Sequence, residues 1–494
     1  MQKDSKLFSS HAVGAIPWMI SGKVLSLFTY FAANVLIVRR LSSELFGAYS
    51  FFIVFAETLM LIAQLGLHQS LLRYIPEYMQ QKEYGRVKKT ILFAFSLELI
   101  WSLIIVASLI LLSSQLERYF HMPFQTEGFL IGSVLIGLLF KDFFTALSTA
   151  FFLSKLLTWT TCFQGLILLF FAALLPATIS SMLLAQAFSL LLFSFITYVR
   201  LRGQISCTGK THLLEKKRLF SFSLSSFFNG FINRFAAQYS EVFFLGLFCS
   251  AEWVGYYSLG FSQSFLLMTL IPLSLHSLFT SACAESLKKE SFGRMIRTLF
   301  SLLLILLVPV AFFSFFFAEQ VFVIIFGQKM RMGGMIAGNL SLLHLLGLFS
   351  FPLSLAIITK EQVHRTLPLQ CLHIGVNVAL NLLLTAQYGV TGAYMAIGGS
   401  FLLILPYRLY IVKKIIGGIF FPFFLFLRVG VFAFVLSFAF YKCVEMASMV
   451  SFFAYTLAFV LSFIMSLPLL LTDEEKEDIA ALGVFPWYRK SPIS

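Results

Sequence analysis

Charge is scarce in this sequence. Only 12% of its 494 residues are Asp, Glu, Lys or Arg, about half the share of a soluble domain. A water-facing surface cannot be built from so few. Cysteine is sparse as well: Cys162, Cys207, Cys249, Cys283, Cys371 and Cys443 form no C-x-x-C pair. That excludes a disulfide framework and a thiolate metal cage, and leaves small apolar packing residues. Long outer loops are missing too; the longest, near 114–126, carries no paired carboxylates, Ser/His/Asp set or metal-ligand cluster. An active site beside the membrane needs such a loop, so a glycan polymerase or ligase is disfavoured. No cofactor or metal is expected. No A-x-A site ends the first apolar segment, which begins near His11 and runs past Asn34. It is expected to stay as a helix.

What is present is apolar. Hydrophobic residues make up 59% of the chain and Phe occurs 61 times, too often for one water-soluble core. Lipid must solvate the outside, and a span needs about 20 apolar residues. Such runs lie near 12–38, 45–69, 90–113, 127–153, 156–175, 178–200, 218–246, 253–281, 297–318, 333–359, 362–386, 389–412, 423–441 and 447–471. The expected fold is an all-α integral membrane protein of about fourteen transmembrane helices. The net charge of +14 is scattered over short loops and forms no face for nucleic acid. With the N-terminus inside, 26 Lys and Arg fall in inner segments and 6 in outer ones. That asymmetry predicts cytoplasmic N- and C-termini. After Leu471, Thr472 and Glu475 have the spacing of a capping box and predict a short tail helix.

The chain repeats itself at an offset of 208. Ser42-Ser43-Glu44-Leu45-Phe46-Gly47-Ala48-Tyr49-Ser50 overlies Ser250-Ala251-Glu252-Trp253-Val254-Gly255-Tyr256-Tyr257-Ser258. Without a gap, His68 meets His276, Glu77 meets Glu285 and Gly85-Arg86 meets Gly293-Arg294. Six spans per copy is an even number, so both copies enter the membrane in the same direction. Two six-helix bundles around a central cavity are expected, over 1–205 and 206–414. Two further helices follow over 415–471 and a cytoplasmic tail over 472–494.

Charges inside the spans point to that cavity. Lys23, Tyr30 and Asn34 share one face of span one, and Arg234, Gln238 and Glu241 share one face of span seven. Span two adds Glu57, Gln64 and His68, and span four adds Lys141 and Asp142. A charge in lipid costs about 3 kcal/mol even on lenient scales, so these groups face water or each other. On one reading Lys23, Arg234 and Lys141 bind an anionic head group, with Tyr30, Asn34 and Gln238 beside them. On the other, Arg234–Glu241 and Lys141–Asp142 are structural ion pairs. Glu57, Glu241 and Asp142 are the candidates for ion coupling or pairing. Arg73 and Glu77 flank Pro76 at the inner end of span two and are the candidate gate.

The string R-R-L-S-S-E-L-F-G-A-Y-S from Arg39 to Ser50, then L-G-L-H-Q-S-L-L-R-Y-I-P-E from Leu65 to Glu77, resembles the polysaccharide flippase family. That family belongs to the multidrug/oligosaccharidyl-lipid/polysaccharide exporter superfamily. N-R-F-A-A-Q-Y-S-E-V-F-F-L-G from Asn233, leading to V-G-Y-Y-S, is similar to its second-half signature. The resemblance covers about 1–300. It implies two lobes in a V, alternating access, and flipping of an undecaprenyl-pyrophosphate-linked glycan across a bacterial inner membrane. It also implies a cationic cavity, with Lys23 and Arg234 where such cations are expected. Glu241 departs from the Asp of that signature, which keeps the charge and lengthens the side chain. The partners implied are the lipid-linked glycan, membrane lipids, a coupling cation (H+ or Na+) and a glycan polymerase complex. The competing readings are a cation-coupled multidrug efflux antiporter and a peptidoglycan-precursor (lipid II) flippase.

Overall fold

The computed structural model describes residues 25–205, 216–235, 239–286, 292–348, 351–352, 367–416, 421–443 and 448–476. Every regular element among them is helical. Hydrocarbon offers no water to a backbone, so each N–H and C=O must be satisfied within its own segment. Among the described residues nine stretches are long and apolar enough to cross a membrane. One of these, Pro368–Ile411, joins two predicted spans. The chain divides into two compact units, Met1–Gly255 and Tyr256–Ser494.

The first unit holds α1 (25–40), α2 (Ser43–Ala63), α3 (Leu67–Gln80), α4 (Tyr84–Leu111), α5 (Ser113–Phe120) and α6 (Phe124–Ala150). It continues with α7 (Ser154–Leu174), α8 (Ile179–Ile205), α9 (Lys216–Arg234), α10 (Ser240–Phe248) and the start of α11 (Ala251–Ser286). The predicted division of 127–175 by little more than Lys155 is a real break. Phe151–Leu153 turn the chain between α6 and α7, with Phe152 in the left-handed region at φ 58°.

Span two, expected to run unbroken over 45–69, is two helices. Leu65 (φ 48°) and Gly66 (φ 71°) are left-handed and separate α2 from α3. The cause lies on α9: a Cβ on Gly66 would stand 2.2 Å from the Ser223 carbonyl oxygen and 2.7 Å from the Phe227 amide nitrogen. Only glycine admits that approach and that φ together. From there α3 runs along α9. The Ser70 and Ser223 hydroxyls bond at 2.6 Å, and Tyr74 meets Phe222 edge to face. Span seven, expected over 218–246, holds α9 and α10, with Phe235 and Tyr239 π-helical between them and residues 236–238 outside the description.

The repeated motif meets itself. Gly47 on α2 and Gly255 on α11 are partners at the 208 offset. A Cβ on Gly255 would lie 2.8 Å from Gly47 Cα, and one on Gly47 would lie 1.7 Å from the Ala251 carbonyl oxygen. Beside them Ser43 Oγ donates to Glu252 Oε1 at 2.7 Å, and the Ser42 hydroxyl caps α2 by accepting from Leu45 N–H. A phenylalanine cluster closes the same end: Phe51 and Phe120 centroids are 4.9 Å apart, and Phe55 and Phe124 are 5.2 Å apart. Gly246 of α10 lets its backbone lie on the Phe51 ring.

The second unit contains the rest of α11, then α12 (Phe292–Phe326), α13 (Arg331–Leu348), α14 (Leu367–Leu380), α15 (Ala386–Ile416), α16 (Phe423–Cys443) and α17 (Met449–Leu470). A π-helical turn, Asn381–Thr385, joins α14 to α15, and Gly389 (φ 55°) kinks the latter. Leu303, Leu307, Val308 and Ala311 of α12 pack with Leu425, Val429 and Ala433 of α16 and with Phe463 and Leu467 of α17. The tail forms the predicted capping box: Thr472 N–H donates to Glu475 Oε2 at 2.9 Å, and Glu475 N–H to Thr472 Oγ1 at 3.4 Å. Arg428 Nη2 reaches both Glu475 oxygens at 2.9 Å and ties the tail to α16.

Overpacking a tight contact costs about 1–3 kcal/mol. Gly47→Ala and Gly255→Ala should therefore each lower the melting temperature of the detergent-purified protein. Gly203→Ala, with nothing within 4 Å of the added carbon, should not. Identical melting of all three variants would mean that α2 and α11 separate there at no cost.

Candidate functional site

Polar side chains of six helices in the first unit, with Tyr239 beyond the end of α9, form one network at membrane depth. Lys141 of α6 donates to the Tyr30 phenol of α1 at 3.2 Å, and its ammonium stands 5.0 Å from the centroid of that ring. Asp142, the next residue, accepts from Gln64 Nε2 at 2.6 Å. Glu57 of α2 accepts a hydrogen bond from Tyr239 and lies within electrostatic reach of Lys141 and Arg234. His68 feels Asp142 and Arg234, and Glu98 of α4 feels Asp142.

Lys141 and Asp142 hold different partners. Neighbours on a helix do not face each other, and each takes its partner from another helix. Among the described residues no carboxylate pairs directly with Lys141. Its ammonium rests on the neutral Tyr30 ring, within electrostatic reach of Glu57. Arg234 ends α9 and is exposed, yet its field reaches Glu57, His68 and Tyr239.

Other predicted residues fall as follows. Lys23 and Gln238 lie outside the described residues. Asn34 is half-buried on α1, and Glu241 is buried in the first turn of α10, where a carboxylate suits the helix N-terminus. The predicted common face of Glu57, Gln64 and His68 does not exist as one helix, because α2 ends before Gly66. The break nevertheless brings all three to the network. Arg73 and Glu77 lie apart from it, on the seam between α3 and α9: Glu77 meets Arg218 at 3.4 Å and Arg73 stacks on Phe222.

Two residues carry more than the sequence suggested. Tyr239 supplies the hydrogen bond to Glu57. Gln164 of α7 is fully buried, and neither amide atom finds a partner among the described residues. A lone Gln in an apolar run was its only signal.

The helical fold and a polar network at membrane depth define a multi-span membrane protein of the transporter kind. Residues 36–331 match the family of polysaccharide biosynthesis proteins, and the chain belongs to that family. Its fold is shared with the lipid II flippase MurJ in an inward closed conformation. That similarity has a TM-score of 0.70 at 13% identity, over 92% of this chain and 100% of that one. An inward-facing multidrug resistance MATE family transporter of the MOP superfamily is similar at TM-score 0.59 and 14% identity. There the coverage is 80% of this chain and 98% of that one. Such identities establish a common fold and nothing finer. No curated protein matches.

Contacting groups in one network couple by about 0.5–3 kcal/mol. A double-mutant cycle of Glu57→Gln and Tyr239→Phe, read by thermal unfolding in detergent, should give a coupling in that range. Simple additivity would place the two side chains in separate environments.

Proposed function

We propose that this protein flips a lipid-linked oligosaccharide from the inner to the outer leaflet of a bacterial inner membrane by alternating access. The observation that carries the proposal is the Lys141 ammonium, held on Tyr30 with no direct carboxylate partner among the described residues, in a member of a family of polysaccharide biosynthesis proteins. A diphosphate linking glycan to polyprenol carries the negative charge that Lys141 and Arg234 lack. Lys23, Asn34 and Gln238 would extend the same surface along spans one and seven. Glu57 and Asp142 would hold the cations in place between cycles, and with Glu241 they are the groups through which H+ or Na+ would couple.

The wider architecture belongs to the same proposal. Bundles over 1–205 and 206–414 would enclose the cavity, 415–471 would add two helices, and both termini would be cytoplasmic. The protein works as a transporter rather than an enzyme, beside the polymerase that takes up its product. The multidrug antiporter reading is less favoured because Lys141 and Arg234 balance the acids of the network. A lipid II flippase would use the same cations, and only the glycan separates the two.

Proteoliposomes loaded with a labelled polyprenyl-diphosphate oligosaccharide test this. Labelled glycan should appear in the far leaflet, and Lys141→Ala and Arg234→Ala should each slow it at least about tenfold, the loss of one charge-assisted contact. Ion-driven export of organic cations without glycan movement would reject the flippase.

A further inference from the structure

Away from the network, α3 and α9 carry a second set of cations, arranged on aromatic rings. The Arg73 guanidinium lies 4.8 Å from the Phe222 centroid and 5.7 Å from that of Tyr74. The Arg218 guanidinium lies 5.1 Å from the same Tyr74 ring. Tyr74 and Phe222 pack edge to face at 5.7 Å, so each ring fixes the other. The carboxylate of Glu77 meets Arg218 at 3.4 Å. Among the described residues Arg73 has no ion-pair partner, and it is exposed. Lys216 lies over Phe93, on α4, 5.8 Å from its centroid.

Positive charge at the inner ends of spans is ordinary and needs no ligand. These arginines differ from such charges in two ways. Ring stacking removes much of their rotamer freedom, so forked donors stand ready at little entropic cost. They also break the repeat: at the 208 offset Arg73 and Tyr74 correspond to Ser281 and Ala282, and Phe222 to Gly14. The shared scaffold, Gly47 with Gly255 and Glu44 with Glu252, is kept in both copies. The aromatic–cation set is built from both copies, Arg73 and Tyr74 from the first and Arg218 and Phe222 from the second, and neither copy repeats it.

We propose that Arg73 and Arg218 form a diphosphate-binding site at the inner end of the α3–α9 seam. There an incoming lipid-linked substrate is held by its diphosphate before the deeper network takes it, and Glu77 is the carboxylate that the phosphate displaces from Arg218. The proposal deepens the flippase reading and rests on its orientation of the chain. Arg73→Lys would keep the charge and lose the fork.

The test uses full-length protein in nanodiscs of neutral lipid, titrated with a polyprenyl diphosphate and, separately, with inorganic pyrophosphate. Arg73→Ala and Arg218→Ala should each weaken both ligands about tenfold or more. Arg73→Lys and Phe222→Leu should weaken them less, and Glu77→Gln should tighten them. Lipid binding by wild type that Arg73→Ala and Arg218→Ala leave unchanged overturns the site while leaving the flippase reading intact. Pyrophosphate binding lost in both variants, with no polyprenyl diphosphate bound by wild type, supports the site and removes the lipid reading. No binding of either ligand by wild type overturns both. Full competition by phosphatidylglycerol would make the arginines a general headgroup anchor and also overturn the site. Thermal melting of each variant separates lost binding from lost folding.

Discussion

Helices in a bilayer gain little by hiding apolar faces from one another, since lipid tails are as apolar as leucine. Association then depends on how closely backbones approach. In this protein the approach is set by glycines at a few places. Gly47 against Gly255 and Ala251 brings α2 to α11, Gly66 against Ser223 and Phe227 brings α3 to α9, and Gly246 seats α10 on Phe51. Each site leaves no room for a methyl group. The polar network follows from them, because α9 docked at Gly66 carries Arg234 and Tyr239 to Glu57.

The outline of the fold was legible because it follows from length and apolarity. Spans such as 90–113 and 423–441 correspond closely to α4 and α16. The division between α6 and α7 was also legible, from Lys155 alone. The break in span two was not. Gln64-Leu65-Gly66-Leu67 reads as helix on any local scale, and it breaks because α9 occupies the space, which is a tertiary fact. For the same reason Tyr239 could not be assigned to Glu57, nor the partners of Lys141 and Asp142 told apart. Adjacent residues of opposite charge suggest a pair in one dimension and exclude it on a helix.

The two copies of the repeat have kept what packs and lost what does not. The motif at the head of α2 and α11 is held in both. The Lys141–Asp142 dipeptide belongs to the first copy only, and the cations and aromatic rings near Arg73 have no counterpart at the 208 offset. A substrate with one anionic end needs no symmetric reader. A protein built from two similar halves therefore has freedom to specialise one of them.

The contact between Gly47 and Gly255 has a consequence for descent. A half-length ancestor pairing with its own copy about a twofold axis would have met itself at this residue. In such a dimer the contact is isologous, and one mutation would have placed two new carbons in a single gap. In one chain the two positions are free to vary separately, yet both are glycine and each is crowded by the other's helix.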